Sequence, residues 1–146
     1  MHKLLVDGGV IRCTPGPGWS WSGWDGTLSI DAPARELRTE GKGVALAADI
    51  ARLGLKLQGK IYTATGYADV PGTVLAAQVT CTEGTLSPVV TFAGDKAVTT
   101  GTRGESFLLG LVPSLKAGAP PVPDPTPVKR GTWTVDQPGQ TVTGSS

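Results

Sequence analysis

Few side chains in this sequence could carry out acid–base or nucleophilic chemistry. Its single histidine is His2, and its two cysteines are Cys13 and Cys81. A Ser-His-Asp triad or a Cys-His dyad needs a histidine held in a fixed position, whereas the first residues of a chain are usually poorly ordered. The residue types argue against the commonest hydrolase mechanisms, and we expect a protein that is not an enzyme.

The same three residues are the candidate metal ligands. Two thiolates fill half of a tetrahedral zinc site, so His2 and a carboxylate would have to complete it. Cys13 and Cys81 could instead form a disulfide, or remain as buried thiols, which is the usual state in a chain without an export signal. We expect no cofactor, and zinc or iron if these residues do bind a metal.

Three tryptophans lie close together in the sequence, at Trp19, Trp21 and Trp24. Aromatic faces at such spacing can stack on sugar rings or bases, which would suit a carbohydrate-binding module. In a small β protein the same pattern more often covers an incomplete core or fills an interface. A sugar site would also need polar groups beside the rings, and only Asp25 and serines are near. We therefore expect an interface or core role, with ligand binding as the alternative.

The charged residues form no recognisable functional motif. No calcium-binding loop, phosphate-binding loop or G-x-S-x-G elbow occurs. Thirteen Lys and Arg against twelve Asp and Glu give a net charge of +1, which provides no field to hold a nucleic acid or an anionic membrane. The longest apolar stretches are far short of the ~20 residues that cross a bilayer. We expect a soluble protein with no nucleic-acid partner and no stable membrane insertion.

The elements that position these residues are predicted to be mainly β. Glycine contributes 21 and proline 12 of the 146 residues, a composition that favours turns and short hairpins within one domain, 1–146. Residues 89–92 and 96–100 flank an Ala-Gly-Asp turn and predict one such hairpin. One short helix is expected over 45–53, with Gly54 as its stop, followed by a strand over 55–63.

Residues 3–116 are predicted to contain two hairpin repeats. An offset of 61 residues relates Ala32 to Ala93, Leu37 to Val98, Thr39 to Thr100 and Gly43 to Gly104. The Cys-Thr pairs at Cys13 and Cys81 have a larger offset, which places extra residues near the tryptophans.

A proline-rich stretch separates these repeats from the C-terminal segment. Five of residues 117–128 are proline, so the stretch 117–130 is expected to be extended and largely outside any sheet. After it, 131–135 and 141–143 flank a Pro-Gly turn and predict a C-terminal hairpin over 131–146. Because a lone hairpin is marginal in water, we expect it to dock on the main body, with the proline-rich stretch as a strap.

Three features together resemble the PAAR-like spike-tip proteins of contractile injection systems, which are phage-tail-like particles. They are the opening segment 4–14, the recurring strand–turn–strand unit with a Gly or Gly-Asp turn, and the closing segment 131–141. The resemblance implies a small cone of short β-hairpins whose base caps the three-fold end of a trimeric spike. The metal at the vertex of many such cones is held by several histidines and a cysteine. Here only Cys13 and Cys81 match a ligand position, and Pro33-Ala34-Arg35 is a partial echo of the family's namesake string.

By this resemblance the protein is a non-enzymatic tip, with one chain per three spike chains. It would be assembled in the bacterial cytoplasm, act at or outside the target envelope, help to pierce it and in some cases carry an effector cargo. One chain can match three equivalent ones only if its base has pseudo-three-fold symmetry, and two repeats plus the C-terminal hairpin would supply three hairpin sets. The alternatives are another structural protein of a phage-like particle, either decoration or baseplate, and a carbohydrate-binding module.

Overall fold

The computed structural model describes residues 3–33, 38–39, 41–136 and 141–142, and its structure is mainly β, as the sequence predicts. No helix in this described part of the chain is long and apolar enough to cross a membrane. The elements in chain order are β1 (Leu4–Leu5), β2 (Val10–Pro15), β3 (Trp19–Trp21), β4 (Thr27–Ser29), β5 (Arg38–Thr39), β6 (Lys42–Gly43), α1 (Ala47–Ala51), α2 (Gly54–Leu57), β7 (Ile61–Ala64), β8 (Tyr67–Cys81), β9 (Thr91–Phe92), β10 (Asp95–Lys96), β11 (Arg103–Val112), β12 (Leu115–Lys116), β13 (Val122–Pro123), β14 (Lys129–Asp136) and β15 (Thr141–Val142).

Within the described residues, nine strands form one curled antiparallel sheet. Its main path runs β4–β2–β14–β11–β8–β7–β3, and β12 and β13 continue from the early part of β8. The curl brings β3, at one end of this path, back to β2, which lies next to the other end, because Trp21 of β3 donates its indole N–H to the Cys13 carbonyl of β2 at 3.1 Å. The result is a partly open barrel around one hydrophobic core.

Strand β14 shows why the sequence folds in this way. Its alternating Gly-Thr-Trp-Thr pattern points Trp133 inward, where the side chain is fully buried and donates its N–H to the Thr80 carbonyl at 2.7 Å. Gly104 lies opposite Trp133 in β11, and a Cβ there would stand 2.6 Å from the indole nitrogen. The core therefore needs a large ring in one strand and a glycine in its neighbour.

The helix predicted over 45–53 consists of a shorter helix, α1, followed by a second one, α2. Gly54 begins α2 and does not stop a helix. A Cβ at Gly54 would lie 3.2 Å from the carbonyl carbon of Ala77, so the glycine allows α2 to pack directly on β8. The strand predicted over 55–63 is wrong in its first half, because 55–57 are helical and β7 starts only at Ile61.

The C-terminal segment has the predicted strands but not the predicted hairpin. Strand β14 lies between β11 and β2 in the main sheet, and β15 pairs with β1, where Leu4 is opposite Val142. The expected pairing of 131–135 with 141–143 is therefore wrong, because local alternation identifies a strand but not its partner. Most of the expected turn, 137–140, lies outside the described residues.

The proline-rich strap is exposed over most of its length. It contributes β13, which pairs with β12, and it ends where β14 begins at Lys129. Asp124 fixes it to the body, because its amide donates to the Ser114 carbonyl at 2.9 Å and its carboxylate forms an ion pair with Lys129. Both side chains of this pair are buried, although the strap around Asp124 is exposed.

Candidate functional site

Three two-stranded ribbons stand apart from the main sheet in the described structure. They are β1–β15, β5–β6 and β9–β10. Three chain segments meet beside these ribbons. Segment 4–6 overlaps β1, segment 44–46 follows β6, and segment 97–99 follows β10. We call them together the ring.

The middle residues of the ring are joined by a closed cycle of backbone hydrogen bonds. The Leu5 amide donates to the Val98 carbonyl at 2.9 Å, and the Val98 amide donates to the Ala45 carbonyl at 2.8 Å. The Ala45 amide then donates to the Leu5 carbonyl at 2.8 Å, which closes the cycle. Each middle residue gives one hydrogen bond and receives one, so the three segments occupy equivalent positions around a common axis.

The residues on either side of the middle positions repeat the same symmetry. The last residue of each segment forms a β-bridge with the first residue of the next segment. The three bridges are Val6–Val44, Leu46–Ala97 and Thr99–Leu4. All three bridges are antiparallel. The ring therefore has pseudo-three-fold symmetry built from one chain with three different sequences.

Further hydrogen bonds extend the symmetry at two of the three junctions. The Asp7 amide donates to the Gly43 carbonyl at 3.0 Å, and the Thr100 amide donates to the Lys3 carbonyl at 2.8 Å. In both cases the residue that follows one segment donates to the residue that precedes the next segment. At the third junction α1 begins, and the Ala48 amide donates instead to the Asp95 carboxylate at 2.9 Å. The symmetry is thus interrupted where the chain leaves the ring as a helix.

Side chains of the ring alternate between two hydrophobic clusters. The three middle residues are fully buried in the core of the curled sheet. Five of the six flanking residues form a second, smaller cluster against which Val90 and Phe92 also pack: Leu4, Val6, Val44, Leu46 and Ala97. We call this second set the ring cluster. Alternation along a strand places it on the opposite side of the ring from the main core.

The predicted offset of 61 residues does not relate the ribbons to each other, because β5–β6 and β9–β10 correspond at an offset of 53 residues. Gly41 and Gly94 occupy the turns of the two ribbons with φ of +79° and +83°, and β5 and β6 correspond to β9 and β10 at the same offset. The predicted match of Gly43 with Gly104 pairs a ribbon strand with a strand of the main sheet. The two turn glycines mark the offset of 53 in the sequence, because glycine adopts a positive φ without strain.

The third set is not the C-terminal hairpin that the sequence suggested. Its ring segment comes from the N-terminal residues 4–6, and the C-terminal segment contributes only the outer strand, β15. Nothing in the local pattern of 4–6 marks it as equivalent to 44–46 and 97–99, because it has no ribbon turn in front of it within the described residues.

The three tryptophans pack against one another beside the opening of the curled sheet. The rings of Trp19 and Trp21 meet edge to face with centroids 4.8 Å apart, and Trp21 and Trp24 do the same at 4.8 Å. Trp19 is buried and donates its N–H to the Arg130 carbonyl at 2.9 Å, and the Lys60 ammonium lies 4.4 Å from the centroid of Trp24. These edge-to-face contacts fill the gap between the ends of the sheet and leave no row of parallel rings.

The two cysteines are free thiols that lie in one row of the sheet. Cys13 is opposite Trp133, Trp133 is opposite Gly104, and Gly104 is opposite Cys81, so two strands stand between the thiols. Burial raises the pKa of Cys13 to about 12. Burial is also the main cause that raises the pKa of Cys81 to about 12, and the charges of Asp95 and Glu83 add to it.

These positions do not fit a metal held jointly by the two cysteines. A shared site needs two thiolates within a few ångströms of each other, whereas two strands of the sheet stand between these thiols. Among the described residues no group of three or more His, Cys, Asp or Glu side chains could hold a metal ion. The third predicted ligand, His2, lies outside the described residues.

No model of a known protein family matches this chain, and no curated protein matches it.

Proposed function

We propose that this protein is a non-enzymatic tip that binds coaxially to the end of a trimeric spike in a contractile injection system, one chain per spike trimer. The single observation that carries the proposal is the closed cycle of hydrogen bonds among Leu5, Ala45 and Val98. A trimer presents three identical contacts around its axis. One chain can meet all three only if its own structure repeats three times around the same axis, and the ring does so.

The internal symmetry favours this reading over a homotrimeric decoration or baseplate protein. A chain that assembles as a trimer obtains its three-fold symmetry from three copies and needs none within one copy. Here three unrelated segments adopt one geometry inside a single chain, which is expected where a monomer faces a trimer. In the proposed role the rigid tip sharpens the particle, helps it to enter the target envelope and is a place where an effector cargo would ride.

The test is the number of copies in the complex. Two versions of the chain with different tags are produced together in the native host, one tag is captured, and the complex is sized by native mass spectrometry. The proposal expects a spike trimer carrying one tip chain, so that the second tag is absent from the captured complex. Recovery of the chain alone, or of a homotrimer that contains both tags, would overturn it.

A further inference from the structure

A cavity lies between the proline-rich strap and the end of the curled sheet. Its volume is about 440 Å³, which is within the ~300–1,000 Å³ of small-molecule sites. Trp19 and Tyr67 contribute to its wall, together with Pro125 of the strap. Thr65 and Thr126 also line it and are exposed, so the cavity is open to solvent. We call it the strap cavity.

The buried ion pair of the strap lines the same cavity. The side chains of Lys129 and Asp124 are 6% and 4% exposed. Apart from the ion pair, Asp124 Oδ2 has no hydrogen-bond partner in the part of the chain that the structure describes. An ammonium has three N–H donors, and the contact with this oxygen uses one of them. The strap cavity therefore places a buried acceptor beside buried donors, and a ligand that satisfies them gains free energy.

This arrangement favours a neutral ligand that carries neighbouring hydroxyl groups. The charges of Asp124 and Lys129 balance, so the pair offers no net charge to attract an ion. A hydroxyl both donates and accepts hydrogen bonds. Two adjacent hydroxyls on one ring can therefore donate to the carboxylate and accept from the ammonium at the same time. The C–H face of a sugar ring would pack on the aromatic and proline side chains of the wall.

The strap is poorly suited to hold an extended peptide instead. Peptides that add to a strand edge bind through main-chain hydrogen bonds. Pro125 and Pro127 have no N–H to donate. The Asp124 amide already donates to the Ser114 carbonyl at 2.9 Å, and the Thr126 amide donates to the Asp124 carboxylate at 3.0 Å. Residues 124–127 therefore have no free amide for a peptide, and recognition falls to the side chains.

Hydrogen bonds between lining residues hold the cavity in shape. The Trp19 indole donates to the Arg130 carbonyl at 2.9 Å, and the Thr65 amide donates to the Gly18 carbonyl at 2.9 Å. All four residues line the strap cavity. A site formed in advance loses less conformational entropy when a ligand binds, which favours affinity.

We infer that the strap cavity binds one neutral sugar ring, with Asp124 accepting from one hydroxyl and Lys129 donating to the next. The cavity lies at the end of β14 that is far from the ring, because β14 begins at Lys129 and its last residue, Asp136, pairs with Val10, where β2 starts after ring segment 4–6. The inference needs only the strap cavity and does not depend on the proposed function. In a tip whose ring meets the spike, this end would face a glycan of the target envelope.

The first experiment is a titration of the isotope-labelled protein followed by NMR. The probes are D-glucose, D-galactose and N-acetyl-D-glucosamine, and the amides observed are those of Thr65, Thr126 and Arg130. Cyclohexylmethanol is the matched probe, because it keeps a six-membered ring and lacks neighbouring hydroxyls. We expect saturable shifts of these amides with at least one sugar, and binding of cyclohexylmethanol at least about tenfold weaker.

Substitutions then separate the cavity from the rest of the surface. Thr126→Trp fills the cavity, whereas Thr132→Trp places the same ring on an exposed residue of β14 that does not line it. We expect the first variant to bind the sugar at least about tenfold more weakly and the second to bind as the parent does, with unchanged melting temperatures. Thr65→Trp replaces Thr126→Trp if that variant melts earlier. Asp124→Leu combined with Lys129→Met removes the polar pair and should abolish binding.

Three results would overturn the inference. They are no saturable shift with any of the three sugars, an equal response to cyclohexylmethanol, and parent-like binding by the double variant or by both cavity-filling variants. The first result would mean that only water occupies the strap cavity. The proposed function is judged separately, by the number of copies in the spike complex, so failure of one does not imply failure of the other.

Discussion

Burial sets the chemistry of Cys13 and Cys81, since it raises the pKa of each thiol from its ordinary value of 9.0 to about 12. The folded state therefore favours the protonated form more than the unfolded state does. This contribution to stability is fully present below about pH 9 and is lost as the pH rises from 9 towards 12. Both thiols are therefore protonated at neutral pH, and neither is an activated nucleophile.

We expect both thiols to resist modification in the native protein. At pH 8 a pKa of 12 leaves a thiolate fraction of about 10⁻⁴, so reaction with a disulfide reagent such as DTNB should be on the order of 1000-fold slower than in urea. The rate should rise about tenfold per pH unit. Cys13→Ala and Cys81→Ala assign each reaction phase, and one thiol that reacts in the native protein as fast as in urea would contradict the expectation.

At the scale of the element, the strap is fixed by a buried charge pair that the sequence did not reveal. The side chains of Lys129 and Asp124 are 6% and 4% exposed. The Asp124 carboxylate also accepts the Thr126 amide at 3.0 Å, which folds the strap back towards β14. Removing one partner leaves the other charge buried and uncompensated, which is far more costly than losing a surface pair.

Lys129→Met should therefore destabilise the protein by about 3–5 kcal/mol, measured by urea denaturation. The matched control is Lys96→Met, which removes the exposed pair with Glu83 and should cost at most about 1 kcal/mol. The double variant Asp124→Leu with Lys129→Met should recover much of the lost stability. A loss under about 1 kcal/mol for Lys129→Met would mean that water reaches the pair and that the strap is not fixed by it.

Local sequence patterns predicted which segments are strands better than they predicted which strands pair. The alternation around Trp133 and the Ala-Gly-Asp turn before Lys96 identified β14 and the β9–β10 ribbon. The partner of β15 and the role of Gly54 depended on residues far away in the chain, Leu4 and Ala77, which no local period encodes. The described part of the chain contains seventeen elements, many of two residues, and such short elements carry little sequence pattern.

At the scale of the whole molecule, the ring could be anticipated only in outline. The expected trimeric partner requires three equivalent hairpin sets in this chain. The predicted offset of 61 between the first two sets is wrong, and so is the choice of the C-terminal hairpin as the third. Ala45, Val98 and Leu5 share position and burial and do not share a residue type. Backbone hydrogen bonds create the equivalence of these three residues, so their side chains carry no shared signal for it.

A closed cycle makes the ring a single cooperative unit, because opening any one segment breaks two of its three hydrogen bonds. We expect the amides of Leu5, Ala45 and Val98 to exchange with deuterium at equal rates, close to the rate of global unfolding. The exposed β12–β13 ribbon, probed at Val122, should exchange at least about 100-fold faster. Hydrogen exchange followed by NMR resolves these amides.

The cooperativity itself is tested by weakening one segment and observing the other two. Val98→Ala removes two buried methyl groups and should lower the protection of Leu5 and Ala45 by the same factor as that of residue 98. A frayed chain end would behave differently, since Leu5 would exchange quickly in the parent and would not respond to the change at Val98. That result would mean that only two of the three ring segments are stably joined. A structure with two joined segments does not match a partner with three-fold symmetry.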